Sequence, residues 1–176
     1  MSVIERVWAM PNAETFSIPP IRALLDSLEL GESVVDPFAR NSTRAHWRND
    51  LSPATDAEFH MDAEAFADML LNRGTVATGL LFDPPYSFRQ AKEVYQGVGL
   101  QFGKDQQQQV GRWARLKDRL ARVLQPGGIA VSFGWSTTGF GKKRGFVFER
   151  CLIVNHGSAH HDTLCTVERK TAGEAT

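Results

Sequence analysis

Apolar positions along the chain alternate between helical and strand-like spacing. Pro19-Pro20 opens a helix in which Ile21, Leu24, Leu25 and Leu28 recur on one face, with Gly31 beyond its end. Ser33-Val34-Val35-Asp36-Pro37 reads as a short buried strand stopped by proline. A second strand is expected over Arg44 to Arg48, ending at Asn49-Asp50. Asp62 is placed to cap a helix over Ala63 to Asn72, with Phe66, Met69 and Leu70 facing inward. Val76 to Phe82 is apolar and bounded by Gly74 and Pro84, as a central strand would be. Asp105 to Leu124 has one apolar face, marked by Val110, Trp113, Leu120 and Leu124, and Pro126-Gly127-Gly128 is expected to stop it. Ile129 to Phe133 is a further strand. Phe146 to Val154 and Thr163 to Arg169 read as a pair joined by a His- and Gly-containing turn.

Strands alternating with helices predict an α/β fold: a mainly parallel sheet, an antiparallel hairpin at one edge and helices on both faces. The interval from Asp36 to Asp50 has room for only a turn or two of helix. In such sheets ligands sit beyond the carboxyl ends of the strands. The segments expected to carry chemistry are therefore 36–42, 49–50, 60–63, 83–87 and 134–145.

The chain has 176 residues and a mass of 19.6 kDa, which suits one domain over residues 1–170 and a frayed tail over 171–176. No separate target-recognition domain is expected. Twenty basic residues balance twenty acidic ones, which excludes a strongly basic, histone-like binder but leaves a local basic face open. The two cysteines, Cys151 and Cys165, cannot make a disulfide framework. With no signal-like start and no bilayer-length apolar run, the sequence predicts a cytoplasmic protein without membrane association.

The most informative residues are Asp83-Pro84-Pro85-Tyr86, directly after an apolar strand. The prolines fix the backbone and remove two N–H donors, so the segment presents acceptors: the Asp83 carboxylate and the Pro84 carbonyl. Tyr86 adds a flat aromatic face. A planar amino group, with two N–H donors and a π-face, fits between them. The exocyclic amine of a nucleobase is a poor nucleophile because its lone pair is delocalised into the ring. Two acceptors on its hydrogens favour pyramidalisation and free that lone pair. In a duplex the base would have to be flipped out. An ordinary strand-to-loop turn is the blander reading of the same tetrad.

Asp83-Pro84-Pro85-Tyr86-Ser87 resembles the catalytic motif of the S-adenosylmethionine-dependent amino-methyltransferases acting on adenine N6 of DNA, the DPPY family, and among them the small phage-type members. The likeness runs from about Trp8 to Lys170. It implies a Rossmann-like class I methyltransferase fold, S-adenosylmethionine as cofactor and S-adenosylhomocysteine as product. Asp36, Pro37, Phe38 and Ala39 resemble the start of the family's cofactor loop, followed here by Arg40, Asn41 and Ser42. Phe16 lies in a segment like the one flanking the methionine moiety, and Trp8 is expected near it. Asp50 is placed like the acid that meets the ribose, and Asp62-Ala63 like the pair near the cofactor adenine. Asp83 belongs to both the catalytic and the cofactor set. Aspartate at the first tetrad position implies adenine N6 over cytosine N4. The family's loop has glycines where this chain has Arg40 and Ser42, which keeps a second reading open: a binding module that retains the fold without efficient cofactor use. An amino-methyltransferase acting on RNA or another amine is a third.

Lys142, Lys143 and Arg144 form a compact positive patch suited to phosphates, and Ser87 and Arg89 follow the tetrad where a base pocket would open. DNA, duplex or single-stranded, is the expected partner, and a homodimer or a partner subunit would supply specificity. If the chain is phage-encoded, its compartment is the host cytoplasm. His156, His160, His161 and Cys165 match no closed zinc spacing and read as a polar hairpin turn. Methyl transfer from a sulfonium requires no metal.

Overall fold

The computed structural model describes residues 2–85, 88–99, 109–158 and 160–172. Its centre is a seven-stranded sheet made of β1 (Val3–Trp8), β2 (Val34–Asp36), β3 (Trp47–Arg48), β4 (Ala77–Phe82), β5 (Leu124–Gly134), β6 (Phe146–Asn155) and β7 (Thr163–Lys170). Their order across the sheet is β1-β6-β7-β5-β4-β2-β3. β7 runs antiparallel to both neighbours, and every other pairing is parallel. The sequence expectation of an edge hairpin needs one amendment. β1, whose exposed residues gave no alternating signal, pairs along β6, so β6 and β7 are interior strands.

Alternation along the central strands divides the core into two faces. Val34, Leu81, Ile129, Val131 and Phe133 point one way, toward α1 (Pro19–Asp26) and its buried Ile21, Leu24 and Leu25. Val35, Leu80, Phe82 and Ala130 point the other way, against Phe66 and Leu70 of α2 (Ala63–Asn72) and Leu116 and Leu120 of α4 (Gln109–Val123). Prolines start α1 where the helix has no N–H bonds to lose. At α2 the Asp62 carboxylate accepts from the Glu64 N–H at 2.9 Å, the cap expected from the sequence. α3 (Phe88–Gly97) follows β4.

Two connections depart from a regular doubly wound sheet. No helix forms between β2 and β3. The chain instead closes a turn, Ser42 N–H to Ala39 O at 2.8 Å, and returns with His46 N–H on Val34 O at 2.9 Å. α4 passes directly into β5, and Pro126-Gly127-Gly128 forms a bulge inside the strand rather than a linker before it. Ala77 pairs with Leu124 and Gly79 with Ile129, so six residues of β5 span three of β4. Gly127 turns the bulge at φ +79°, a conformation that glycine adopts without steric cost. Among the described residues no helix is long and apolar enough to cross a membrane.

Candidate functional site

Strand order reverses between β2 and β4. β3 lies outward on one side and β5 on the other, and the crevice beyond such a switch point is where open α/β sheets bind ligands. Asp36 ends β2 there. It is fully buried, its Oδ1 accepts from the Phe38 N–H at 2.9 Å, and its Oδ2 has no hydrogen-bond partner among the described residues. Burial pushes its pKa well above the usual carboxylate range, so that it holds its proton more tightly. The Phe38 N–H opposes this in part, and the negative charges of Asp83 and Asp50 add to it.

The loop after Asp36 is held by Asn49, a residue the sequence reading passed over in favour of Asp50. Asn49 is buried, and its amide bonds Pro37 O at 3.1 Å and Met61 O at 3.0 Å while accepting from Met61 N–H at 3.1 Å. Its backbone carbonyl accepts from Ala39 N–H at 2.8 Å. It thereby ties the first loop to the segment before α2. A polar residue at the end of a two-residue strand was the only available signal. The Asp50 carboxylate accepts from Arg40 N–H at 3.2 Å and from Ser52 N–H at 2.8 Å. Arg40 sits at φ +49°, the left-handed region, where the resemblance had led one to expect glycine. Its guanidinium donates to Ala13 O at 2.6 Å and pairs with Glu14 at 3.5 Å. Asn41 Oδ1 accepts from Asp56 N–H, and Ser42 Oγ from Arg44 N–H. Phe38 packs edge-on against Phe82 and Trp113. Beyond its cap, Asp62 receives a 2.8 Å hydrogen bond from the hydroxyl of Tyr95, a buried residue of α3.

Asp83, Pro84 and Pro85 leave the carboxyl end of β4 in the same crevice, with Asp83 half-buried and Pro84 buried. Tyr86 and Ser87 lie outside the described residues, and Arg89 is placed only by its backbone, in the first turn of α3. Beneath this segment Lys117 of α4 lies over the Phe82 ring, 5.1 Å from its centroid, and donates to Thr138 O and Gly139 O at 3.1 and 2.8 Å. Burial, with a smaller push from Arg144 and an opposing pull from Glu168, lowers its pKa to about 8. Glu168, buried on β7, accepts from Phe140 N–H at 2.5 Å and Gly141 N–H at 2.9 Å. Lys117 and Glu168 thus fix the chain that descends from the end of β5. No motif pointed to either.

The remaining candidates spread out. Phe16 packs on Phe133 at 5.0 Å, near the carboxyl end of β5. Trp8 ends β1, four strands away from β4, or about 19 Å at ordinary strand spacing, and is exposed. The basic triplet forms a 3-10 turn just before Phe146, which pairs with Lys170 at the amino end of β6. That is the end of the sheet opposite Asp36 and Asp83, because the chain from Gly134 runs back along the α4 face. Arg144 is engaged there with Asp118, Phe140 O and Ala114 O. His156 is buried between Ala9 O at 2.7 Å and Thr163 Oγ1 at 2.9 Å, joining β1 to the hairpin.

The fold matches solved structures. A candidate SAM-dependent methyltransferase from Streptococcus mutans superposes with a TM-score of 0.52 at 12% identity, covering 83% of this chain and 46% of that one. SMU.776, a candidate methyltransferase crystallised in complex with SAH, superposes with a TM-score of 0.52 at 13% identity, covering 84% of this chain and 48% of its own. This chain thus spans about half the length of either neighbour. No protein-family model matches the sequence, and no curated protein matches it significantly. The chain has the Rossmann-like class I methyltransferase fold.

Proposed function

We propose that the chain is an S-adenosylmethionine-dependent methyltransferase acting on the exocyclic N6 amine of adenine in DNA. The observation that carries the cofactor half of this reading is Asp36. A carboxyl group kept fully buried at the switch point, with one oxygen unpartnered among the described residues, is costly unless a ligand supplies the missing hydrogen-bond partner. The residues around it suit a ligand bearing hydroxyls and amines: the Asp36 and Asp50 carboxylates and the Asp62 carboxylate at the start of α2 all accept hydrogen bonds. When bound, the cofactor supplies a methyl group on a sulfonium that leaves as a neutral thioether. The complex of a fold neighbour with SAH supports the choice.

In this reading Asp83 and the Pro84 carbonyl accept hydrogen bonds from the two amine hydrogens and orient the nitrogen lone pair, and the Asp83 carboxylate takes the one proton released as the N–C bond forms and the methyl–sulfur bond breaks. Tyr86 stacks the base, as the tetrad's chemistry suggests. Phe38, Phe82 and Trp113 provide an apolar floor beneath the strand end. The basic triplet, at the far end of the sheet, plays no part.

One set of contacts favours the second reading, a module that binds without transferring. The Arg40 backbone N–H occupies Asp50, its side chain is tied to Ala13 and Glu14, and Tyr95 occupies Asp62. Transfer of radiolabelled methyl from S-adenosylmethionine to duplex DNA, single-stranded DNA and RNA, with digestion to nucleosides, tests the proposal. Label in N6-methyldeoxyadenosine supports it, and label in N6-methyladenosine moves the substrate to RNA. No transfer, together with no calorimetric binding of S-adenosylhomocysteine, leaves the binding module.

A further inference from the structure

We propose that Trp135 and His161 form a stacking platform for an unpaired base of single-stranded DNA beside the target-amine position. The inference rests on the methyl-transfer reading and deepens it by naming the form of the substrate.

Register fixes the location. Phe82 pairs with Ser132 across β4 and β5, so Asp83 and Pro84 lie level with Phe133 and Gly134, and Trp135 is the next residue out. Gly134 also pairs with Leu164 of β7, which brings the turn holding His161 to the same rim. The two rings meet at a centroid distance of 4.3 Å with planes tilted by 36°. This pair lies on the β5 and β7 side of the tetrad, whereas Asp36 and Asp50 lie on the β2 and β3 side. A base next to the target would meet these rings, not the cofactor loop.

Exposure separates Trp135 from the tryptophans that serve the core. Trp47 and Trp113 are packed against buried residues, but Trp135 keeps 43% of its surface open, and His161 is exposed. An exposed indole already ordered by a neighbouring ring loses little freedom when a planar ligand stacks on it. Every nucleobase offers such a face, but in a duplex both faces are covered by neighbouring bases. The basic triplet lies at the other end of the sheet, so at this rim the two rings offer a base contact by stacking rather than through that patch.

The test measures binding of a fluorescently labelled 12-nucleotide single strand, in DNA and RNA forms, and of the matching duplex, by anisotropy. S-adenosylhomocysteine calorimetry runs in parallel on the same preparations. Trp135→Ala is expected to weaken single-strand binding about 5- to 150-fold, the range for loss of one base–aromatic stack. Trp135→Phe should retain most of it, and His161→Ala should fall between. Cofactor-product binding should be unchanged in all three, which also reports that they fold. Single-strand binding by Trp135→Ala equal to wild type, with S-adenosylhomocysteine still bound, overturns the platform and leaves the methyl-transfer reading standing. Tighter binding to the duplex, or to RNA over DNA, overturns the form of substrate proposed. Failure of the wild type to bind S-adenosylhomocysteine overturns the methyl-transfer reading instead.

Discussion

Asp36→Asn should separate stability from function. The substitution keeps the shape of the side chain and keeps an oxygen to accept from the Phe38 N–H at 2.9 Å. It removes an ionisable group that is fully buried and faces the charges of Asp83 and Asp50. The sign of the effect follows from linkage. In the unfolded chain Asp36 loses its proton near pH 4, whereas burial keeps it protonated to much higher pH in the folded protein. Between those two values the folded state binds more protons than the unfolded state, so stability falls as pH rises. One such group contributes a slope of up to about 1.4 kcal/mol per pH unit. Domains of this kind are stable by only about 5–15 kcal/mol, so a pH-dependent loss with that slope is measurable.

Urea unfolding of both proteins at several pH values from 4 upward provides the assay, with the midpoint and slope fitted separately. Wild type should lose stability relative to Asp36→Asn as pH rises, until the folded-state pKa is passed and the difference levels off. The asparagine protein should nevertheless bind S-adenosylhomocysteine more weakly. Losing one hydrogen bond of the neutral carboxyl group costs about 0.5–1.5 kcal/mol, roughly 2- to 10-fold in Kd. A more stable, less competent variant is what a ligand-directed buried carboxylate predicts. Parallel pH profiles for the two proteins would refute the reasoning about Asp36, whatever the binding data show.

The pinned segment after β5 gives a steric prediction. A Cβ at Gly139 would stand 2.0 Å from Glu168 Oε2, whereas at Gly134 the nearest atom is 4.0 Å away. Gly139→Ala should therefore cost about 2–5 kcal/mol in urea unfolding, from overpacking and displaced charge-assisted bonds, while Gly134→Ala stays within about 0.5 kcal/mol. Equal midpoints for the pair would dismiss the pinning. Lys117, with its pKa lowered to about 8 by burial, binds fewer protons folded than unfolded between about pH 8 and 10.5, so stability should rise through that window. Lys117→Met should flatten the rise, as a series of unfolding curves at alkaline pH will report. His156→Ala leaves Ala9 O and Thr163 Oγ1 without their buried partner and should cost about 1–3 kcal/mol in thermal or urea unfolding.

What could be read from the chain beforehand divides along a physical line. The apolar strands and the amphipathic helices were legible because burial imposes period 2 or 3.6 on consecutive residues, and Asp62 was legible because a capping carboxylate precedes its helix. β1 was not, because an edge strand covered on one side carries Ile4 and Trp8 exposed and shows no alternation. The acids at the strand ends were found from motif and position. The residues that brace the neighbouring loops were not, because Asn49, Lys117 and Glu168 act on backbone groups that are remote in sequence. Asn49 reaches twelve residues to Pro37 and Met61, Lys117 reaches Thr138 and Gly139, and Glu168 reaches Phe140 and Gly141. Linear spacing holds no trace of such bonds, since any polar residue at a buried position could make them once the topology exists. The basic triplet shows the converse error. Its composition pointed to phosphates, but the path of the chain from Gly134 to Phe146 carries it the full height of the sheet away from Asp83. Charge is a local property of sequence, while the end of the sheet on which it falls depends on whether a connecting segment stays at the rim or descends. In this chain the Lys117 and Glu168 bonds to residues 138–141 hold the segment on its descending path, and the triplet follows it to the far end.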